Sequence, residues 1–72
     1  MSQHVKRYKR YEDVKFHEGQ ILKLKNGSSA IVWEPDGRIY TIEQLDTCEQ
    51  HRGTVEQLSE YIDEEEFLIT EE

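Results

Sequence analysis

Cys48-Glu49-Gln50-His51 sets a thiol and an imidazole three residues apart, close enough for one turn of chain to offer both to a metal. Zinc takes three protein ligands in a catalytic site and four in a structural one. No second C-x-x-C or H-x-x-H pair completes such a set, and His4 and His17 would have to be recruited from distant segments. A Cys/His nucleophile pair would also need an oxyanion hole and a substrate cleft, which a chain with one small core rarely supplies. The motif therefore reads as a loop cysteine beside a solvated histidine. No catalytic residue, metal ligand or cofactor is expected. G-x-x-x-x-G-K, G-x-G-x-x-G and G-x-S-x-G are all missing from the chain, so nucleotide binding and α/β-hydrolase chemistry lack their usual signals.

Two charged stretches invite a ligand reading. Asp63, Glu64, Glu65 and Glu66, with Glu71 and Glu72, are acidic enough for calcium. An EF-hand, however, needs acids at alternating loop positions around a central glycine. A solvated acidic edge is the better reading. Lys6-Arg7-Tyr8-Lys9-Arg10-Tyr11 interleaves four cations with two rings, which can neutralise phosphates and stack on bases. The competing account is a solubilising tail whose tyrosines pack on a sheet edge, and the rest of the chain favours it. Residues 1–25 carry Lys6, Arg7, Lys9, Arg10, Lys15, Lys23 and Lys25 against Glu12, Asp13 and Glu18, a net of +4. Residues 26–72 carry Arg38 and Arg52 against thirteen acids, a net of −11, so the whole chain stands at −7. This describes a basic arm on an acidic body, and an acidic body repels phosphate.

Trp33 is the single tryptophan and ends the run Ala30-Ile31-Val32-Trp33. Alternation puts Ala30 and Val32 on one face and Ile31 and Trp33 on the other. Both faces are apolar, so either the sheet curls into a small barrel or one face binds something. Barrel closure is the expectation. The alternative is an exposed Trp33 near Tyr40, since aromatics dominate interface hot spots.

These residues need a framework, and 72 residues allow one domain, marginal in burial. One cysteine excludes an internal disulfide and fits a reducing compartment. MSQHVKRYKR lacks the apolar core of a secretory leader, and no apolar run approaches membrane-spanning length. A cytosolic setting with no membrane partner is expected. Residues 1–12 read as a flexible basic arm or short edge element, and residues 13–72 as a single domain.

Within that domain, Val14 and Phe16 alternate with Lys15 and His17 as in a strand. Gln20 to Lys25 leads into Asn26-Gly27, followed by Ser28 to Trp33, which predicts a hairpin closed by a type I′ turn. Glu34-Pro35-Asp36-Gly37 predicts a type I turn with a bulge, and Arg38 to Ile42 a third strand. Short turns make the strands antiparallel neighbours. Thr54 to Asp63 predicts a helix, with Val55, Leu58 and Ile62 on one side and Thr54-Val55-Glu56-Gln57 as a capping box. The acids from Asp63 should stop it, because negative charge is disfavoured at a helix C-terminus. Phe67 to Thr70 predicts a closing strand.

Thr41-Ile42-Glu43-Gln44-Leu45 nearly repeats as Thr54-Val55-Glu56-Gln57-Leu58. Five positions cannot define a structural repeat. They read instead as two chances at one capping device, with Thr41 able to start a short helix toward Gly53.

The fold class expected is α+β: a small curved antiparallel sheet of three to five strands with one helix in the C-terminal half and a short closing strand. The spacing over residues 14–45 looks like a small SH3-like barrel, a likeness of architecture without a family motif. The expected function is a small non-enzymatic protein-binding module of bacterial or phage accessory type, using Trp33, Tyr40, Tyr61, Glu64, Glu65 and Glu66. The alternative is nucleic-acid-related, either through the arm Lys6, Arg7, Tyr8, Lys9, Arg10 and Tyr11, or by acidic mimicry of DNA.

Overall fold

Side chains that alternate between buried and exposed build the larger of two sheets. The computed structural model describes residues 5–71. Its elements in chain order are β1 (Val5–Tyr8), a 3₁₀ turn (Tyr11–Asp13), β2 (Ile21–Lys23), β3 (Ser29–Val32), β4 (Tyr40–Gln44), β5 (Gln50–Gly53), α1 (Val55–Leu58), a 3₁₀ turn (Glu64–Phe67) and β6 (Leu68–Glu71). β2, β3, β4 and β5 form an antiparallel meander in that order, and β1 pairs with β6 in a separate two-stranded sheet. The class is α+β, as the sequence implies.

One face of the meander is the roof of the core. Leu22, Leu24, Ala30, Val32, Tyr40 and Ile42 are buried on it. Beneath them lie Val55, Leu58, Ile62 and Phe67 from the C-terminal third, and Val14 and Phe16 from the crossover after β1. Phe16 meets Tyr40 edge to face at 5.2 Å between ring centres and lies 6.4 Å from Phe67, so one ring links the sheet to the closing segment. Ile42 is fully buried, and truncating such a residue to alanine costs about 2–5 kcal/mol.

The meander does not close into a barrel. Ile62 and Phe67 fill the space under its roof, residues 61–66 run along the β2 edge, and β1 takes β6 as partner, so neither end of the meander has a strand to close on.

The alternation over residues 13–17 is real in burial, since Val14 and Phe16 are buried and Lys15 and His17 exposed, but it makes no strand. The Val32 main chain beside it is already engaged: it accepts from Gly19 at 2.7 Å and donates to Gln20 at 2.9 Å. Val14 and Phe16 act as plugs instead.

Both tight turns differ from their predicted types. Gly27 N–H donates to the Leu24 carbonyl at 3.0 Å, and Gly27 alone at this corner has positive φ, +92°. The loop is thus a three-residue turn with the glycine at the bulge, not a two-residue type I′ turn. Asn26 Oδ1 accepts from Ser28 N–H at 2.9 Å, a local bond that holds the asparagine on the negative-φ side. In the next corner Asp36 and Ile39 exchange two hydrogen bonds of 2.9 Å around Gly37-Arg38, with Gly37 at φ +60°. A glycine at the first of two central positions makes a type II′ turn, whose twist suits a hairpin, and Pro35 falls outside it.

Thr41 starts no helix. β4 runs through it to Gln44, and residues 50–53 form β5 opposite. The predicted helix from Thr54 to Asp63 lasts only from Val55 to Leu58. Its capping box is present: Thr54 Oγ1 accepts from Gln57 N–H at 3.3 Å, and Gln57 Oε1 accepts from Thr54 N–H at 2.9 Å. The helix ends early because Ile62 bridges to Leu24 and Lys25 N–H donates to the Tyr61 carbonyl, which pulls the chain onto the β2 edge. The following acids do not end α1. They begin the second 3₁₀ turn, where Asp63 Oδ1 accepts from Glu65 N–H at 2.9 Å.

Candidate functional site

The face of the meander away from the core is built by the same period of two. Rows follow from the strand register: Ile21 beside Ile31, Ile31 beside Glu43, and Glu43 beside Gln50. The next row holds Trp33, whose N–H donates to the Thr41 carbonyl at 2.9 Å, then Thr41 beside Arg52. Leu45 lies at the far end, its N–H on the Ser29 carbonyl. Ile21, Trp33 and Leu45 are each about half exposed, at 53%, 50% and 50%, and Ile31 is partly so. No element of the described residues covers this face. Toward β2 and β3 the face is apolar at Ile21, Ile31 and Trp33, and polar at the Lys23–Ser29 pair next to Leu45. The half toward β4 and β5 is polar, with Gln50 Nε2 donating to Glu43 Oε1 at 2.9 Å and Arg52 3.4 Å from Asp36.

The expected aromatic and acidic surface does not assemble. Tyr40 is on the core face, 7% exposed and packed against Phe16, so it cannot join Trp33. It belongs to the even-numbered set of β4 that points inward with Ile42 and Gln44. Tyr61 is exposed at 38% but lies on the other side of the sheet, stacked on His51 at 3.8 Å and 14°.

Glu64, Glu65 and Glu66 do structural work. Glu66 accepts from Lys23 N–H at 2.7 Å, Glu65 lies 3.8 Å from Lys23 Nζ, and Glu64 sits against Tyr8. The negative charge of Glu64, then partial desolvation and a hydrogen bond to that carboxylate, push the Tyr8 hydroxyl above its ordinary pKa.

The basic arm is an edge element rather than a separate tail. β1 runs from Val5 to Tyr8 along β6, and Lys9 N–H donates to the Phe67 carbonyl at 2.8 Å. Lys6 stands opposite Thr70 and Arg7 opposite Ile69 in this ladder. Tyr11 packs edge to face on Phe67 at 5.3 Å, and Arg10 pairs with Glu12 at 3.4 Å. Residues 1–4, with His4, lie outside the described residues.

Cys48 and His51 do not converge. Cys48 is exposed in the β4–β5 turn with a left-handed backbone, φ +61°. His51 points to the core side, sandwiched by Tyr61, with Nε2 3.3 Å from Glu49 Oε2. Among the described residues no three His, Cys, Asp or Glu side chains are grouped to hold a metal.

One polar cluster escapes sequence reasoning. Gln44 is buried at 7%, and its amide meets Asn26 at 3.2 Å, Ser28 at 3.2 Å and Asp46 at 2.7 Å. Ser28 Oγ also donates to Asp46 at 2.9 Å. The hydrogen bonds from Gln44 and then Ser28 hold the Asp46 carboxyl below its ordinary pKa. The cluster ties the β2–β3 turn to the end of β4. Of the exposed apolar patch, Ile21 and Leu45 were also missed, although each sits at the outward parity of its strand. No helix among the described residues is long and apolar enough to cross a membrane. Comparison with known proteins finds no matching family model and no significant match to a curated protein or a solved structure.

Proposed function

We propose that this chain is a small non-enzymatic protein-binding module that works through the outer face of its four-stranded sheet, in a cytosolic setting of bacterial or phage accessory type. The observation that carries this reading is the apolar group of Ile21, Trp33 and Leu45, each about half exposed, around the partly exposed Ile31, on a sheet whose other face holds the core. Monomeric proteins rarely leave such a patch uncovered, and tryptophan is the residue most enriched at the centres of interfaces. Of the acids assigned to binding from the sequence, Glu66 is taken by the Lys23 N–H, while Glu64 and Glu65 stay exposed beside Tyr8 and Lys23. The nucleic-acid alternative weakens in part: Tyr11 packs edge to face on Phe67, and Glu64 sets a negative charge beside the Tyr8 hydroxyl, although the Tyr8 ring stays exposed.

Affinity capture from the native host, run in parallel with wild type and Trp33→Ala, tests the proposal. A captured protein is then titrated directly against both. Trp33→Ala should weaken binding by about tenfold or more, as for an interface hot spot, while cooperative unfolding persists. Equal binding by the variant would sink the assignment of this face.

A further inference from the structure

The two edges of the meander are treated differently. On the β2 edge, the Lys23 N–H is taken by the Glu66 carboxylate at 2.7 Å, the Lys23 carbonyl accepts from Asp63 at 2.9 Å, and Lys25 N–H reaches the Tyr61 carbonyl at 2.9 Å. That edge is closed to further pairing from Lys23 to Lys25, which among the described residues leaves only the Ile21 main chain open there. On the β5 edge, the ladder with β4 uses the main chain of Glu49, His51 and Gly53. Gln44 N–H donates to Glu49 at 2.8 Å, which fixes the alternation, and His51 and Gly53 stand opposite Ile42 and Tyr40. The main-chain N–H and C=O groups of Gln50 and Arg52 consequently point away from the sheet. They have no partner among the described residues, and both residues are exposed.

We infer that β5 accepts an extended segment of another protein as a fifth strand, and that this segment carries basic side chains on its core-side positions. Two donors and two acceptors spaced along an extended backbone complement another strand and nothing rounder. Charge selects the segment. On the core side of the edge, Glu49 lies against His51, and Glu60 and Lys25 line the same hollow, which leaves two carboxylates against one ammonium. A second copy of this chain would bring two bodies of net charge −7 together, so self-pairing is disfavoured. The inference concerns a different surface from the Trp33 face and stands or falls separately.

The probe is a capped synthetic hexapeptide alternating lysine and valine, with a glutamate–valine peptide as its charge-reversed control. Amide hydrogen exchange of the full chain is followed by NMR. With the basic peptide at saturation, exchange at Gln50 and Arg52 should slow by about tenfold, while Lys23 and Lys25 stay unchanged. The acidic peptide should leave all four unchanged. A chemically synthesised chain with an N-methyl group on the Arg52 amide should fold, since that N–H makes no internal bond, and should lose the response. No slowing with the basic peptide, or equal slowing with the acidic one, overturns the inference. Slowing that depends on the protein's own concentration without peptide also overturns it, because the occupant is then a second copy. These readouts come from the unmodified chain, so they decide the matter even where the N-methylated chain fails to fold. A Trp33→Ala chain should respond to the basic peptide as wild type does.

Discussion

Replacing Gln44 with methionine keeps the side chain's length and removes its hydrogen bonds, so it isolates what the buried amide does. Gln44 makes three of them, to Asn26 at 3.2 Å, Ser28 at 3.2 Å and Asp46 at 2.7 Å. Each ordinary side-chain bond contributes about 0.5–1.5 kcal/mol net. The released partners can turn to water, which keeps the loss toward the low end, and methionine regains a little by apolar burial. A loss of about 2 kcal/mol is expected. Unfolding entropy of about 2.1 cal/mol/K per residue over 72 residues converts this to a Tm lowered by about 13 °C. The pH dependence has a definite sign. Asp46 is held below its ordinary pKa of 3.8, chiefly by Gln44, so its contribution to stability is present above that value and is lost as pH falls through the lower folded value. Thermal unfolding of both chains from pH 7 to pH 2 should show a gap that is widest near neutrality and narrows below about pH 4. A Tm difference under about 4 °C at pH 7, or a gap that widens in acid, would refute the network as described.

Three other substitutions probe the local geometry. Gly27→Val should destabilise by more than about 1 kcal/mol by denaturant unfolding, although a Cβ there meets nothing within 4 Å, because φ of +92° resists a β-branched residue. Thr54→Ala should cost about 0.5–2 kcal/mol through loss of the cap, and should shift the Val55–Leu58 amide resonances most. Cys48→Gly should leave Tm unchanged or raise it by a few degrees, since relief of the left-handed strain at φ +61° opposes the extra entropy of an unfolded glycine.

The sequence shows the meander because three short apolar, β-prone runs, Ile21 to Leu24, Ala30 to Trp33 and Tyr40 to Ile42, are joined by short glycine corners. It shows the start of α1 because a capping box is a purely local device. It misleads wherever a partner distant in sequence decides. Thr41-Ile42-Glu43-Gln44-Leu45 and Thr54-Val55-Glu56-Gln57-Leu58 are nearly the same peptide, yet one is strand and the other helix. β3 and β5 on either side hold the first extended, while Val55 and Leu58 drop together into the core. The same limit explains Tyr40: its side of the strand is set by ladder register, which composition does not carry. The candidate patch was half legible. Trp33 announced itself, whereas Ile21 and Leu45 matter only because the sheet stays open.

The pairing of β1 with β6 also has a kinetic side. Val5 lies opposite Glu71, so this contact closes a loop of almost the whole chain. Closure entropy grows as (3/2)RT ln n, or about 3–4 kcal/mol for a loop of this size before constants. Local hairpins bear much less, so the meander can assemble while both ends of the chain are still loose. The terminal ladder is then the last seam to form and the first to part. Its amides should exchange through a lower-energy opening than those of β3 and β4, which part only with the core. A spring pulled from residues 5 and 71 would load these four residue pairs as a zipper from its outer end, one pair at a time, before the meander felt any force.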